Sequence, residues 1–87
     1  MILRIISQSY TKEVSIAWLE LNTEAGNFVI QPGHAPTILI LARNKKAIYC
    51  LTTGKQESVE IGRGIADITR KKATIIIDEV HKKASQR

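Results

Sequence analysis

The side chains that could support acid–base or metal chemistry in this 87-residue chain are few and far apart in the sequence. The two histidines are His34 and His81, and the single cysteine is Cys50. A zinc site needs several Cys or His ligands that converge on one ion, whereas these three residues belong to unrelated segments. The sequence therefore predicts neither a metal site nor a bound cofactor.

The sequence also lacks a recognisable set of residues for nucleophilic catalysis. A triad would have to combine His34 with a distant serine and with Asp67 or Asp78, and no local motif supports such a choice. The neighbouring carboxylates Asp78 and Glu79 would point apart in an extended segment, so they do not form a general acid–base pair. The lack of a catalytic constellation favours a binding or structural protein over an enzyme.

Both prolines of the chain lie in one short segment, Pro32-Gly33-His34-Ala35-Pro36, between two apolar runs. Each proline fixes its own φ and pushes the preceding residue toward extended geometry, so this segment is predicted to be a stiff bend. Judged by residue type alone, the imidazole of His34 either forms a hydrogen bond within the turn or contacts a partner.

The elements that must position this bend are short extended segments separated by turn residues, a pattern typical of an all-β sandwich or barrel. The chain is long enough for one small core, so we expect a single domain over residues 1–87. Residues 78–87 have a helix-compatible composition and are interpreted as a frayed tail or a short helix. Strands are predicted near residues 2–7, 13–21, 26–30, 37–42, 46–52, 56–61, 65–69 and 73–78.

The apolar patterns predict which strands are central. Segments 47–51 and 73–77 carry apolar residues on both faces, which favours central strands or a second covered face. Trp18 shares a face with Val14 and Ile16 of the predicted strand. We therefore expect Trp18 to fill the core.

The formal net charge of +5 allows two interpretations. The cationic clusters at 43–46, 70–72 and 82–83 are either solvated turns or a surface for an acidic partner such as nucleic acid. Aromatic residues make up only 5% of the chain and are scattered, so a base-stacking platform is not expected. The longest apolar runs are far shorter than the roughly 20 residues that cross a bilayer.

Residues 21–36, LNTEAGNFVIQPGHAP, resemble a stretch of the F-type ATP synthase epsilon subunit, in which a glycine turn precedes Phe-Gly-Ile-Leu and Pro-Gly-His-Ala-Pro. Downstream, residues 62–68 are similar to the family's Ser-Gly-Gly-Phe-x-Glu-Val segment, and residues 73–78 to its Val-Thr-Val-Leu-Ala-Asp strand. The blocks keep their order and spacing from residue 2 to about residue 81. The resemblance is to the N-terminal β-sandwich, without the C-terminal helical hairpin that follows it in the family.

This resemblance implies a β-sandwich of about ten short strands and a non-catalytic role in ATP synthesis and ion transport. Family members lie in the central stalk, where they join the gamma subunit to the polar loops of the membrane c-ring. The resemblance thus implies a peripheral position at the cytoplasmic face of the inner membrane, with no cofactor, no small-molecule substrate and no inhibitory hairpin. A small basic β-domain that binds nucleic acid is the alternative.

The resemblance also implies a contact site for the c-ring. The family's bend falls on Pro32, Gly33 and His34. An acidic residue often precedes the Phe or Leu of the family segment, and Asn27 takes that place here. Glu24, three residues earlier, is the acidic substitute that we expect near the same partner.

Overall fold

The structure is a computed structural model that describes residues 1–78; the interpretation of the segment after Asp78 as a tail or helix lies outside the described residues. The described chain forms eight strands, which confirms the all-β class and corrects the expected number of about ten. The number is lower because one strand of 13 residues serves two sheets without a break. The strands are β1 (Ile2–Ile6), β2 (Thr11–Thr23), β3 (Gly26–Ile30), β4 (Thr37–Ile40), β5 (Lys45–Leu51), β6 (Gln56–Ile61), β7 (Arg63–Ile68) and β8 (Lys72–Asp78).

The strands form two layers that share β2. The first layer has the order β4-β7-β8-β1 followed by the N-terminal part of β2, which pairs with β1 through Thr11–Ser15. The second layer contains β3, the C-terminal part of β2, β5 and β6. All neighbouring strands are antiparallel except β1 and β8, which run parallel with Ile2 opposite Lys72. The predicted central positions of β5 and β8 are confirmed, since each has a paired strand on both sides.

A register shift in β2 changes which of its side chains face the core. The pairing with β5 is interrupted between Ile16 and Trp18, as at a β-bulge. Because a shift of one residue exchanges the faces of a strand, Ile16, Leu19 and Leu21 are all buried despite their uneven spacing. Trp18 lies opposite Cys50 and is only half-buried, so the prediction that it fills the core is wrong.

The core lies between the layers and consists of apolar side chains and one tyrosine; no polar or charged residue of the described chain is buried. The hydroxyl of Tyr49 lies at the margin of this core, where it donates to Glu57 Oε1 at 3.2 Å and accepts from Lys12 Nζ at 3.4 Å. The hydrogen bond to Tyr49 is the main cause that raises the pKa of Lys12 above its usual 10.5, with smaller contributions from charge interactions with Tyr49 and then Glu57. The buried residues are Leu3, Ile5, Ile16, Leu19, Leu21, Ile30, Leu41, Ala47, Tyr49, Ile61, Ala66, Ile68, Ala73, Ile75 and Ile77.

Just after the turn between β6 and β7, the backbones of β7 and β8 approach each other closely. Gly62 lies in a bend between the two strands, and Gly64 then faces the core opposite Ile77 of β8. A Cβ atom on Gly64 would lie 2.6 Å from the carbonyl oxygen of Ile76 and 3.3 Å from Cγ2 of Ile61. Glycine at this position therefore lets β7 pack against β8 without displacing the sheet backbone.

Candidate subunit interfaces

The bend at residues 31–36 is hydrogen-bonded to the turn between β7 and β8. The Gly33 amide donates to the Arg70 carbonyl at 2.9 Å, and Arg70 Nη1 donates back to the Gly33 carbonyl at 3.1 Å. Gly33 has a φ of 87°, a conformation that glycine adopts more readily than other residues. Pro32 and Pro36 are both exposed. These contacts support the predicted stiff bend, which presents its prolines to solvent.

The imidazole of His34 can form one hydrogen bond within its own turn and another with a partner. Its Nδ1 lies 2.8 Å from the Ala35 carbonyl oxygen. A carbonyl oxygen only accepts hydrogen bonds, so Nδ1 carries the proton and Nε2 of the neutral ring is an acceptor. The ring is half-buried, and none of the described residues bonds Nε2. The two interpretations of His34 are therefore compatible, because each uses a different ring nitrogen.

The residues implied for c-ring contact lie along one edge of the second layer and do not form a single cluster. Strand β3, which pairs only with β2 in the described chain, separates the hairpin carrying Glu24 from the bend. Its five residues span about 17 Å. Asn27, on β3, donates to Glu20 Oε2 at 3.0 Å and to Asn22 Oδ1 at 3.2 Å. One partner would have to extend along the whole of β3 to contact Glu24, Asn27 and His34.

A row of exposed isoleucines crosses the outer face of the first layer, and no motif in the sequence indicates it. Ile40 is 65% exposed and lies opposite Ile65, which in turn lies opposite Ile76. Ile65 and Ile76 are 40% and 44% exposed. The row continues onto β1 through the half-buried Ile6, beside Ile76. Together with Ile38 of β4, which is 68% exposed, these residues form what we call the isoleucine face: Ile6, Ile38, Ile40, Ile65 and Ile76.

An open groove of about 560 Å³ lies at one end of the isoleucine face. Its apolar lining includes Ile40, Ile65 and Ile76, and its charged lining includes Glu24 and Arg43. The lining also includes Arg63 and Asp78, whose side chains form an ion pair with an Nη2 to Oδ2 distance of 2.5 Å. An apolar centre with a charged rim is the usual composition of a protein–protein interface. Contiguous exposed apolar surface of this kind marks an interaction site.

The basic clusters do not form one continuous surface. Residues 70–72 lie at the end of the sandwich that carries the bend, whereas residues 43–46 lie at the opposite end, beside the β2–β3 hairpin. The cluster at 82–83 lies outside the described residues. A groove that follows a nucleic-acid backbone needs contiguous positive charge, so this arrangement does not support the nucleic-acid alternative.

The described residues offer no site for catalysis by a metal ion. Within residues 1–78, no group of His, Cys, Asp and Glu side chains is arranged to hold such an ion. Cys50 is a half-buried free thiol. In the same range, no helix has the length and apolar character needed to span a membrane.

These features define a class of protein: a small β-sandwich whose described surface offers apolar and polar contact regions. A family model for the β-sandwich domain of the ATP synthase delta/epsilon chain matches residues 3–83. The chain belongs to this family. A comparison with curated protein sequences gave no match.

Solved structures with a similar fold include two mitochondrial ATP synthases. A chain in the Euglena gracilis enzyme, determined with OSCP, F1 and the c-ring, has a TM-score of 0.81 and 22% identity over 88% of the present chain. A chain in the central stalk and c-ring of the Tetrahymena thermophila enzyme has a TM-score of 0.76 and 11% identity over the whole chain. The present chain spans 49% of the first of these chains and 74% of the second.

Proposed function

We propose that this chain is a central-stalk rotor subunit of an F-type ATP synthase that joins the gamma subunit to the c-ring. The observation that carries the proposal is the family match over residues 3–83, which includes every described strand except the first residue of β1. The subunit is non-catalytic in this proposal and contributes to ATP synthesis by transmitting rotation. It is peripheral to the membrane, at the cytoplasmic face of the inner membrane.

A rotor subunit needs a stiff body with separate contact surfaces. The sandwich supplies the stiffness, because its interior is close-packed and β2 carries the chain from one layer into the other. The isoleucine face and the edge formed by β3 and the bend belong to different layers, so two partners could be held at once.

We assign the isoleucine face to the gamma subunit. A contact that must persist during rotation resembles a permanent interface, and permanent interfaces are more apolar than transient ones. Ile38 and Ile40 are the most exposed large apolar residues of the described chain, at 68% and 65%. The Arg63–Asp78 ion pair in the lining of the groove would fix the orientation of gamma on this face.

We assign the bend and the β3 edge to the c-ring. The bend presents Pro32, Gly33 and the Nε2 acceptor of His34, which suits a hydrogen-bond donor on a polar loop. Asn27 and Glu24 continue this edge toward the hairpin. Since the c-ring carries a repeated set of loops, one subunit could contact neighbouring loops with the two ends of β3.

The test is co-purification of the chain with its own gamma subunit and c-ring at low and at moderate salt. We expect a complex of all three at both concentrations. If the chain binds neither partner at either concentration, the proposed function is wrong.

A substitution at His34 tests the role of the bend. His34→Ala should leave the melting temperature nearly unchanged, since the ring is half-buried and bonds only the adjacent residue among those described. The same change should weaken attachment to the c-ring while binding to gamma is kept. A large fall in melting temperature would show instead that the ring is a structural part of the turn.

A further inference from the structure

A second row of side chains crosses the outer face of the first layer, next to the isoleucines, and this row is polar. Asp67 of β7 lies opposite Thr74 of β8, which lies beside Arg4 of β1. Arg4 in turn lies opposite Glu13 of β2. We call these four residues the polar row. The isoleucines run beside it on the same strands, with Ile65 on β7, Ile76 on β8 and Ile6 on β1.

The charged side chains on this outer face sum to zero, although the whole chain has a net charge of +5. Alternate residues of each strand point outward, and three of the outward residues are basic while three are acidic. A neutral face can approach an identical face without net repulsion. The six charged residues are Arg4, Arg63 and Lys72, and Glu13, Asp67 and Asp78.

Two members of the polar row keep the capacity to pair with another molecule. Asp67 is exposed and has no ion-pair partner within residues 1–78. Arg4 Nε lies 3.7 Å from Glu13 Oε2 and has no hydrogen-bond partner among the described residues. Asp67 and Arg4 lie on the strands that flank β8, about 10 Å apart, so they do not pair with each other.

We propose that the unassembled protein forms a dimer in which this outer face closes against the same face of a second copy. A twofold axis close to the direction of β8 places β7 over β1 of the second copy. Asp67 then meets Arg4 of the second copy, and symmetry forms the same pair again. Ile65 meets Ile6 of the second copy, and Ile76 meets its own equivalent. Both the apolar and the charged groups of the face are thus self-complementary.

The size of the face sets the strength of this dimer. Five strands about 4.8 Å apart, with three outward residues each, give a face of about 24 Å by 20 Å. A stable interface buries about 800 Å² of accessible surface on each partner, and a flat face of about 480 Å² falls near or below that size. We therefore expect a reversible dimer with a Kd of about 10–100 µM.

The dimer goes beyond the proposed function because it concerns the chain before assembly. The same isoleucine face is assigned to gamma, so gamma and the second copy exclude each other. Self-association would cover the exposed isoleucines, of which Ile38 and Ile40 are 68% and 65% exposed, until gamma replaces the second copy.

The experiment is sedimentation equilibrium of the purified chain from about 1 to 300 µM at low ionic strength, a range that brackets the expected Kd. Asp67→Arg and Arg4→Asp each place like charges opposite one another in the dimer. An equal mixture of the two variants restores both opposite-charge pairs in a mixed dimer. Glu60→Arg is the matched control, because Glu60 is exposed on β6 of the second layer. Thermal melting of each variant establishes that it is folded.

We expect the original chain to dimerise, and each reversal to raise the Kd about tenfold, since two exposed pairs are lost and replaced by repulsion. The mixture should regain the original Kd, and Glu60→Arg should keep it. Asp67→Asn should raise the Kd about threefold, which tests the contact even if Arg4→Asp does not fold.

The inference is overturned if the original chain stays monomeric over the whole range, or if Asp67→Arg dimerises as tightly as the original chain. It is also overturned if two folded reversal variants do not recover on mixing, or if Glu60→Arg weakens the dimer equally. None of these results depends on gamma or the c-ring, so the proposed function is tested separately by co-purification.

Discussion

Replacement of Ile40 by threonine tests whether the isoleucine face binds gamma. Threonine keeps the β-branched shape that suits β4 but removes apolar surface. Full burial of an isoleucine side chain contributes about 1.5–3 kcal/mol. Because Ile40 is 65% exposed in the free chain, its burial by a partner would contribute about two-thirds of that amount. Ile40→Thr should therefore cost about 1–2 kcal/mol of binding free energy, a 5- to 30-fold increase in Kd.

The assay is isothermal titration calorimetry of the purified chain against gamma, with denaturant unfolding of the free chain measured in parallel. Val29→Thr is the matched control, because Val29 is 53% exposed on the second layer. We expect the control to bind gamma normally, and both variants to unfold within about 0.5 kcal/mol of the original chain. An unchanged Kd for Ile40→Thr, or an equal loss for Val29→Thr, would refute the assignment of gamma to the isoleucine face.

Three further substitutions test the packing. Gly64→Ala should cost about 1–3 kcal/mol in denaturant unfolding, because its Cβ would lie 2.6 Å from a carbonyl oxygen of β8; an unchanged midpoint would contradict this. Gly33→Ala has free space around its Cβ but a φ of 87°, so the expected loss is about 1–2 kcal/mol, and a gain in stability would show that the bend relaxes. Tyr49→Phe should cost about 1 kcal/mol near neutral pH, because it removes a hydroxyl at the margin of the core. The raised pKa of Lys12 means that its stabilising contribution is present below pH 10.5 and is lost as the pH rises through the raised value. A titration of unfolding free energy should show this alkaline loss in the original chain and a smaller one in Tyr49→Phe; equal curves would exclude the tyrosine as its cause.

The positions of the strands along the chain could be predicted from sequence, because turn residues and short apolar runs mark each strand directly. Each predicted strand overlaps the corresponding observed one. The division of β2 between two layers could not be predicted in the same way. The bulge lies inside a run where Ile16, Trp18 and Leu19 are all apolar, so the pattern does not show which side chain changes face. The spacing of Ile16, Leu19 and Leu21 contained the signal, because it breaks strict alternation.

The candidate site was predictable only in part. The stiffness of the bend follows from its two prolines. Its hydrogen bonds to Arg70 could not be predicted, because they depend on a turn that is distant in sequence. The isoleucine face was missed because apolar residues on both sides of a strand indicate burial without showing what covers the outer side. Ile40, Ile65 and Ile76 come together only through the pairing of β4, β7 and β8.

The parallel pairing of β1 with β8 has a consequence for the time at which the protein can fold during its synthesis. Ile2 pairs with Lys72, so β1 is synthesised well before its parallel partner β8. The ribosome must release β8 before the first layer can close. Until then β1 has only β2 beside it, and the apolar side chains meant for the core remain accessible to chaperones.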